Sequence, residues 1–115
     1  MSLLLAALTL AGCSGEPSDT APCTREPALN WQNFGQPFMQ AYCDSCHSSL
    51  LREDQRQGAP VGIDLDSYAD AVRWAPRIRA RVLLPEPPEM PPGGGPTTDE
   101  LALLDEWLSC AVEAE

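Results

Sequence analysis

The sequence contains no lysine, and its seven basic residues are all arginines, against seventeen aspartates and glutamates. The formal net charge of the 115 residues is -10 at pH 7. A chain with so few cations cannot neutralise a run of phosphates, so a nucleic-acid-binding function is excluded. An acidic surface of this kind suits a partner protein with a basic surface.

Aromatic residues and strand-like patterns are also scarce. The chain has seven aromatic side chains, which predicts a modest protein core. No stretch alternates apolar and polar residues for long enough to predict a strand, and no internal repeat is visible. The length supports one domain. We therefore expect a small all-α domain that something besides apolar burial helps to stabilise.

The N-terminal apolar run, residues 2–12, is too short to cross a bilayer, since a spanning helix needs about 20 residues. It is typical of a secretory signal, and the alternative is a buried N-terminal helix of a cytoplasmic protein. Residues 10–13 resemble the bacterial lipobox, although no Lys or Arg precedes the run. The resemblance implies that residues 1–12 are a signal peptide, removed in the mature protein. Cys13 would then be lipidated and anchor an extracytoplasmic protein in a membrane, the outer one favoured.

Polar, proline-rich residues 13–29 predict a flexible tether, and residues 30–115 are expected to form the domain. Within it, three segments carry apolar residues three and four positions apart, which predicts helices. Regular helix is expected to begin near Pro37 in the first, and Pro76 is expected to kink the second, residues 67–84. The third opens with a capping box. The predicted apolar faces are Trp31, Phe34, Phe38 and Tyr42; Tyr68, Val72, Ala75, Ile78 and Val82; and Leu101, Leu104, Leu108 and Val112.

Residues 43–47 read Cys-Asp-Ser-Cys-His, the C-x-x-C-H attachment signature of c-type haem. Residues three and four apart on a helical turn face the same side. Cys43 and Cys46 can therefore form thioethers with one haem c, and His47 can bind its iron. Because His47 is the only histidine, one chain can hold one such haem. The alternatives are a disulfide or thioredoxin-type pair, which lacks its βαβ context, and a zinc site, which lacks a second close cysteine pair.

From residue 31 to residue 112 the order of elements resembles the class I cytochromes c. That family has a phenylalanine-bearing helix, C-x-x-C-H, a Gly-Pro segment, a middle helix, a methionine loop and a closing helix. Here the Gly-Pro segment is residues 58–60, Gly-Ala-Pro, and the methionine loop is residues 90–92, Met-Pro-Pro.

The resemblance implies that Met90 is the second axial ligand of the iron. The alternative is Met90 as an apolar loop residue, with the iron open or water-bound; Met39, close before the attachment site, is a poorer ligand. The resemblance also implies that the Pro60 carbonyl accepts the Nδ1 hydrogen of His47, with the Ala59 carbonyl as the alternative acceptor.

The remaining cysteines and arginines complete the expectations. With Cys13 lipidated and the signature cysteines attached to haem, Cys23 and Cys110 should form a disulfide outside the cytoplasm; free or intermolecular thiols are the alternative. Trp74 and Trp107 are expected to pack rather than to relay electrons. Four arginines lie on the second helix, where most are expected on a solvated face and one or two could neutralise haem propionates. These are Arg73, Arg77, Arg79 and Arg81.

These features predict a membrane-anchored monohaem cytochrome c that carries single electrons between protein partners. No enzymatic turnover and no small-molecule substrate are expected. One alternative is a haem-based module that binds or senses a small gas by displacing Met90. Another is a structural lipoprotein without haem.

Overall fold

The computed structural model describes residues 23–114; the expected signal peptide and the lipidation site at Cys13 lie outside the described residues. In this part of the chain the secondary structure is entirely helical, as predicted, and contains no strand. The regular helices are α1, Gln36–Tyr42; α2, Tyr68–Ile78; and α3, Thr98–Trp107. π-Helical turns at Trp31–Gly35, Arg79–Leu83 and Leu108–Val112 precede α1 and extend α2 and α3, and Glu53–Gln55 is a 3-10 turn.

The first and third helical segments begin at reciprocal caps. Asn30 and Asn33 each accept a hydrogen bond from the other's backbone N–H, at 2.8 and 2.7 Å. Thr97 and Glu100 form the predicted capping box in the same way, at 3.1 and 2.7 Å. Pro37 lies in the first turn of α1, as expected, where its missing N–H costs no helical hydrogen bond.

The second helix is capped by Ser67, whose hydroxyl accepts a hydrogen bond from the Asp70 N–H at 3.1 Å. Pro76 lies inside α2 without ending it, and the helix continues to Ile78 before its turns widen. In those wider turns the Leu84 N–H donates to the Arg79 carbonyl, five residues back, at 3.1 Å.

The predicted apolar face of α2 is wrong at one position. Val72 is 41% exposed, whereas Ala71 is fully buried. Because each residue turns about 100° around the helix, Ala71, Ala75 and Ile78 form one stripe and Val72 lies beside it.

The π-helical turn 31–35, which precedes α1, packs closely against α3. Trp107 is fully buried, and its ring centroid lies 6.0 Å from that of Phe34 and 6.2 Å from that of Trp31. Gly35 makes this approach possible, since a Cβ at that position would lie 2.4 Å from Cζ2 of Trp107. Trp107 is therefore a packing residue, as expected.

The segment that precedes the first cap is bound to α3 and its continuation. Cys23 and Cys110 form the expected disulfide, with an S–S distance of 1.96 Å. Arg25 makes two hydrogen bonds to the Glu106 carboxylate, at 2.6 and 3.1 Å. Leu29 packs against the core. Residues 23–29, the last part of the expected tether, are thus held on the domain.

Candidate functional site

A cavity of about 760 Å³ lies beside the C-terminal end of α1. This volume is within the roughly 300 to 1,000 Å³ that is usual for small-molecule and cofactor sites. Its walls are predominantly apolar. They are formed by the end of α1, the turn 43–47, residues between 57 and 65, the inner side of α2 with its continuation, and the loop 89–92.

The C-x-x-C-H turn forms where α1 ends. The Cys43 N–H donates to the Met39 carbonyl at 2.8 Å, and the Cys46 and His47 N–H groups donate to the Cys43 carbonyl at 3.2 and 2.9 Å. This tight turn brings the side chains of Cys43, Cys46 and His47 to the wall of one cavity. Both cysteines are half-buried and free of any disulfide. Two thiols and an imidazole therefore face a common space.

The His47 ring is oriented by a backbone carbonyl. Its Nδ1 lies 2.8 Å from the carbonyl oxygen of Ile63. Because a carbonyl only accepts, Nδ1 carries the proton, and Nε2 of the neutral ring keeps its lone pair for a metal ion. The backbone of His47 is fixed from the same segment, since the Leu65 N–H donates to the His47 carbonyl at 2.7 Å.

The acceptor predicted for His47 is therefore wrong. The Pro60 carbonyl accepts instead from Arg56 Nη2 at 3.0 Å and from the Ile63 N–H at 3.3 Å, and the Ala59 carbonyl accepts from Arg56 Nε at 3.3 Å. Both predicted carbonyls thus accept hydrogen bonds from other donors. The chain makes a further turn after Pro60, and the Ile63 carbonyl is the one that lies beside His47. Gly62, with φ of 92°, allows that turn.

Met90 reaches the cavity from the proline-rich loop. The Glu89 and Met90 N–H groups both donate to the Arg81 carbonyl, at 2.9 and 3.1 Å, and the Arg81 guanidinium pairs with the Glu89 carboxylate. The loop is thus fixed to the end of the second helical segment, with Met90 lining the cavity and 40% exposed. Met39, by contrast, is fully buried in the helical core and does not line the cavity.

The arginines of the second helical segment divide between two environments. Arg77 and Arg81 line the cavity. Arg79 instead pairs with Asp105 and Glu113, which joins the segment to α3 and its continuation. Arg79 therefore does not lie on a solvated face. It links two helical segments, a role that the sequence did not predict.

Trp74 lines the cavity with an unsatisfied donor. Its Nε1 is buried and has no hydrogen-bond partner. Buried polar groups are normally paired, so an unpaired donor at a cavity wall fits a bound group that carries acceptors. The Nε1 of Trp107 is also unpartnered, but that side chain does not line the cavity. The expected packing role of Trp74 is thus incomplete, because the residue also belongs to the site.

Burial governs the electrostatics around the turn. Burial is the main cause that raises the pKa of the Cys43 thiol to about 12. Burial, together with the nearby Asp66 carboxylate, also raises the pKa of Asp44 to about 6. Burial also acts to raise the pKa of Asp66, but hydrogen bonds from Ser49 and Ser48 outweigh it and hold that pKa below its ordinary value. A protonated Cys43 at neutral pH is a poor nucleophile, which disfavours thiolate redox chemistry.

Comparison of the chain with protein-family models, with curated proteins and with solved structures finds no match. Within residues 23–114, no helix is long and apolar enough to cross a membrane. The same residues contain no group of three or more His, Cys, Asp or Glu side chains that could hold a metal ion.

Proposed function

We propose that the cavity binds one haem c, attached through Cys43 and Cys46, and that the protein carries single electrons between other proteins. The observation that carries the proposal is the convergence of a complete C-x-x-C-H turn and a methionine on one cavity. Three of these residues come from one turn, whereas Met90 comes from a loop more than forty positions away in the chain. Bound haem supplies the one-electron redox couple.

The chain's own residues would hold the two axial positions. His47 presents Nε2 with its ring oriented by the Ile63 carbonyl. Met90 would supply a thioether, a soft ligand that raises the reduction potential. The two backbone hydrogen bonds to the Arg81 carbonyl limit the freedom of the Met90 loop. Prolines on its C-terminal side at 91 and 92 restrict it further.

The polar groups of haem would find partners at the same wall. The unpaired Nε1–H of Trp74 is available to an acceptor such as a propionate. Arg77 lines the cavity and forms no ion pair among residues 23–114, so it can offer a positive charge. The cavity thus fits a large apolar group with acidic substituents.

Charge and cysteine chemistry support the proposed location and partners. A disulfide persists outside the cytoplasm, where haem c is also attached, so Cys23–Cys110 supports an extracytoplasmic protein. Lipidation of Cys13 would tether it to a membrane. The net charge of -10 favours partner proteins with basic surfaces. No substrate is converted in this role.

The visible spectrum of the reduced protein tests the proposal. The chain is produced with haem-maturation machinery, purified after signal processing, and measured before and after carbon monoxide is added. A sharp low-spin c-type spectrum that the gas leaves unchanged is expected. The absence of haem bands would refute both the cofactor and the function.

Binding of a small gas is the second candidate function. It would use the same cavity, with Met90, which lies in a loop rather than in a helix, as the ligand that the gas displaces. A spectrum that shifts on addition of carbon monoxide would support gas binding over electron transfer.

Replacement of the methionine tests the axial pair. Met90→Ala should open the iron to carbon monoxide and lower the reduction potential, because a thioether stabilises the reduced form. Leu84→Ala is the control, since Leu84 is an apolar residue near the same loop, is 72% exposed and does not line the cavity. An unchanged potential in Met90→Ala would show that another group is the ligand.

A further inference from the structure

Arg56 is a buried cation beside the proposed haem site. Its side chain is 1% exposed, and its guanidinium donates to backbone carbonyls on both sides of the segment that follows His47. Nη1 donates to the Ser48 carbonyl at 2.7 Å, and Nη2 donates to the Pro60 carbonyl at 3.0 Å. Arg56 therefore closes the loop between residues 48 and 60 from inside.

One of the acceptors of Arg56 is the carbonyl that orients His47. Arg56 Nη2 lies 2.9 Å from the Ile63 oxygen, and His47 Nδ1 lies 2.8 Å from the same atom. A carbonyl oxygen has two lone pairs, so both hydrogen bonds can form together. A cationic donor on one lone pair, however, withdraws electron density from the other.

We propose that Arg56 is a positioning residue that weakens the hydrogen bond from His47 Nδ1–H to the Ile63 carbonyl and thereby raises the reduction potential of the bound haem. The inference rests on the proposed function. A hydrogen bond from Nδ1–H makes the imidazole more basic and a stronger donor to iron, which favours the oxidised form. By competing for the carbonyl, Arg56 reduces that effect.

Asp64 acts in the opposite direction. Its Oδ1 lies 2.9 Å from Arg56 Nη2, so its carboxylate partly neutralises the guanidinium at the nitrogen that reaches Ile63. Removing the carboxylate should leave more positive charge on the shared carbonyl. Substitution of Arg56 and substitution of Asp64 should therefore shift the proton resonance of His47 Nδ1–H in opposite directions.

The test measures the reduction potential and the proton resonance of His47 Nδ1–H in the reduced, diamagnetic holoprotein. Arg56→Lys keeps a positive charge but loses the forked contact. It should move the resonance downfield and raise the oxidised-to-reduced ratio at fixed potential about tenfold, which is about 59 mV for a one-electron couple. Asp64→Asn should move the resonance upfield and raise the potential.

Two exposed residues of the same loop provide matched controls. The side chains of Arg52 and Asp54 are 76% and 75% exposed, so Arg52→Lys and Asp54→Asn repeat the chemical changes without touching the shared carbonyl. Neither control should move the resonance.

The outcomes separate this inference from the function on which it rests. A wild-type protein without c-type bands refutes the proposed function. A wild-type protein with those bands, in which Asp64→Asn leaves the Nδ1–H resonance unchanged, overturns the role of Arg56, even where Arg56→Lys does not fold. A variant whose reduction potential changes while its Nδ1–H resonance does not would also overturn the proposal. Arg56 would then act on the haem only as a distant charge, not through the Ile63 carbonyl.

Discussion

The domain has two sides that are stabilised by different means. Where the turn 31–35 meets α3, Trp107 is fully buried among aromatic neighbours, and Gly35 lets the turn approach its ring. Around the cavity, the chain is held by hydrogen bonds and ion pairs of Arg56 and Arg81, and the space that these loops enclose is about 760 Å³. The first side is a core of packed side chains, and the second is the wall of a cavity.

The proposed haem would account for how so few aromatic residues support a domain. The helical side is packed by its own side chains, whereas the apolar side chains of the cavity wall would pack against the haem. A bound apolar group would bury those walls and add stability, since burial of apolar surface is the dominant favourable contribution to folding. The two sides should therefore respond differently to substitution and to the absence of the proposed haem.

The largest expected effect is loss of the disulfide on the helical side. Cys23→Ser with Cys110→Ser opens a link between residues 87 positions apart, and the chain-entropy model predicts a loss of about 4 kcal/mol in the free energy of unfolding. Denaturant titration measures it. Wild type under a thiol reductant should lose as much, whereas the double variant should not respond to the reductant. A reductant-sensitive double variant would assign the effect to another bond.

The next effect tests the contact between the turn 31–35 and α3. Gly35→Ala would place a Cβ 2.4 Å from Cζ2 of Trp107, and overpacking of this kind costs about 1 to 3 kcal/mol. Adding Trp107→Phe removes the clashing ring atoms, so the double variant should lose less stability than the two single losses added together. Gln36→Ala, at the exposed neighbouring position, is the control and should change stability by about 0.5 kcal/mol or less. Strict additivity would show that the two residues do not compete for space.

Absence of the proposed haem should affect the cavity side more than the helical side. In protein made without haem attachment, the amides of Ala59 and Leu65, which donate to the Arg56 and His47 carbonyls, should lose hydrogen-exchange protection. The loss should exceed that of the α3 amides by at least about tenfold, or about 1.4 kcal/mol. Holoprotein measured in parallel is the reference. An equal loss on both sides would mean that the domain is one cooperative unit.

Apart from the Cys23–Cys110 disulfide, which follows from cysteine chemistry, the features that sequence reasoning predicted correctly are local ones. The Thr97 cap, the start of α1 near Pro37 and the common side of the C-x-x-C-H residues depend on spacings of three or four residues. Such spacings fix geometry within one helical turn. The Asn30 cap was missed, although an asparagine three residues before another is a signal of the same kind.

The features that were missed at the cavity depend on the course of a loop. Nothing in the spacing of residues 48–66 shows that Arg56 is buried, since an arginine between polar residues is normally solvated. Its contacts with several carbonyls direct the chain so that Ile63, not Pro60, reaches His47. Resemblance to the family pattern predicted a backbone carbonyl as the acceptor for His47 Nδ1–H, but it did not identify Ile63 as the residue that supplies it.

The smallest expected effect concerns Tyr42, which joins the two sides by a charged hydrogen bond. Tyr42 lines the cavity, and its hydroxyl donates to the Glu100 carboxylate of α3 at 2.7 Å. Hydrogen bonds from the Thr97 N–H and from Tyr42 hold the pKa of Glu100 below its ordinary value. A lowered pKa contributes stability at neutral pH that disappears as the pH falls through it.

Tyr42→Phe should therefore raise the pKa of Glu100 without restoring its ordinary value, because the Thr97 N–H still donates. The variant should be slightly less stable than wild type at pH 7 and equal to it at a pH where the carboxyl is protonated in both. NMR titration of the Glu100 side-chain carboxyl carbon, with thermal unfolding at both pH values, measures these changes. A difference in stability that persists in acid would show that Tyr42 acts through packing, and that no charged contact joins the cavity to α3.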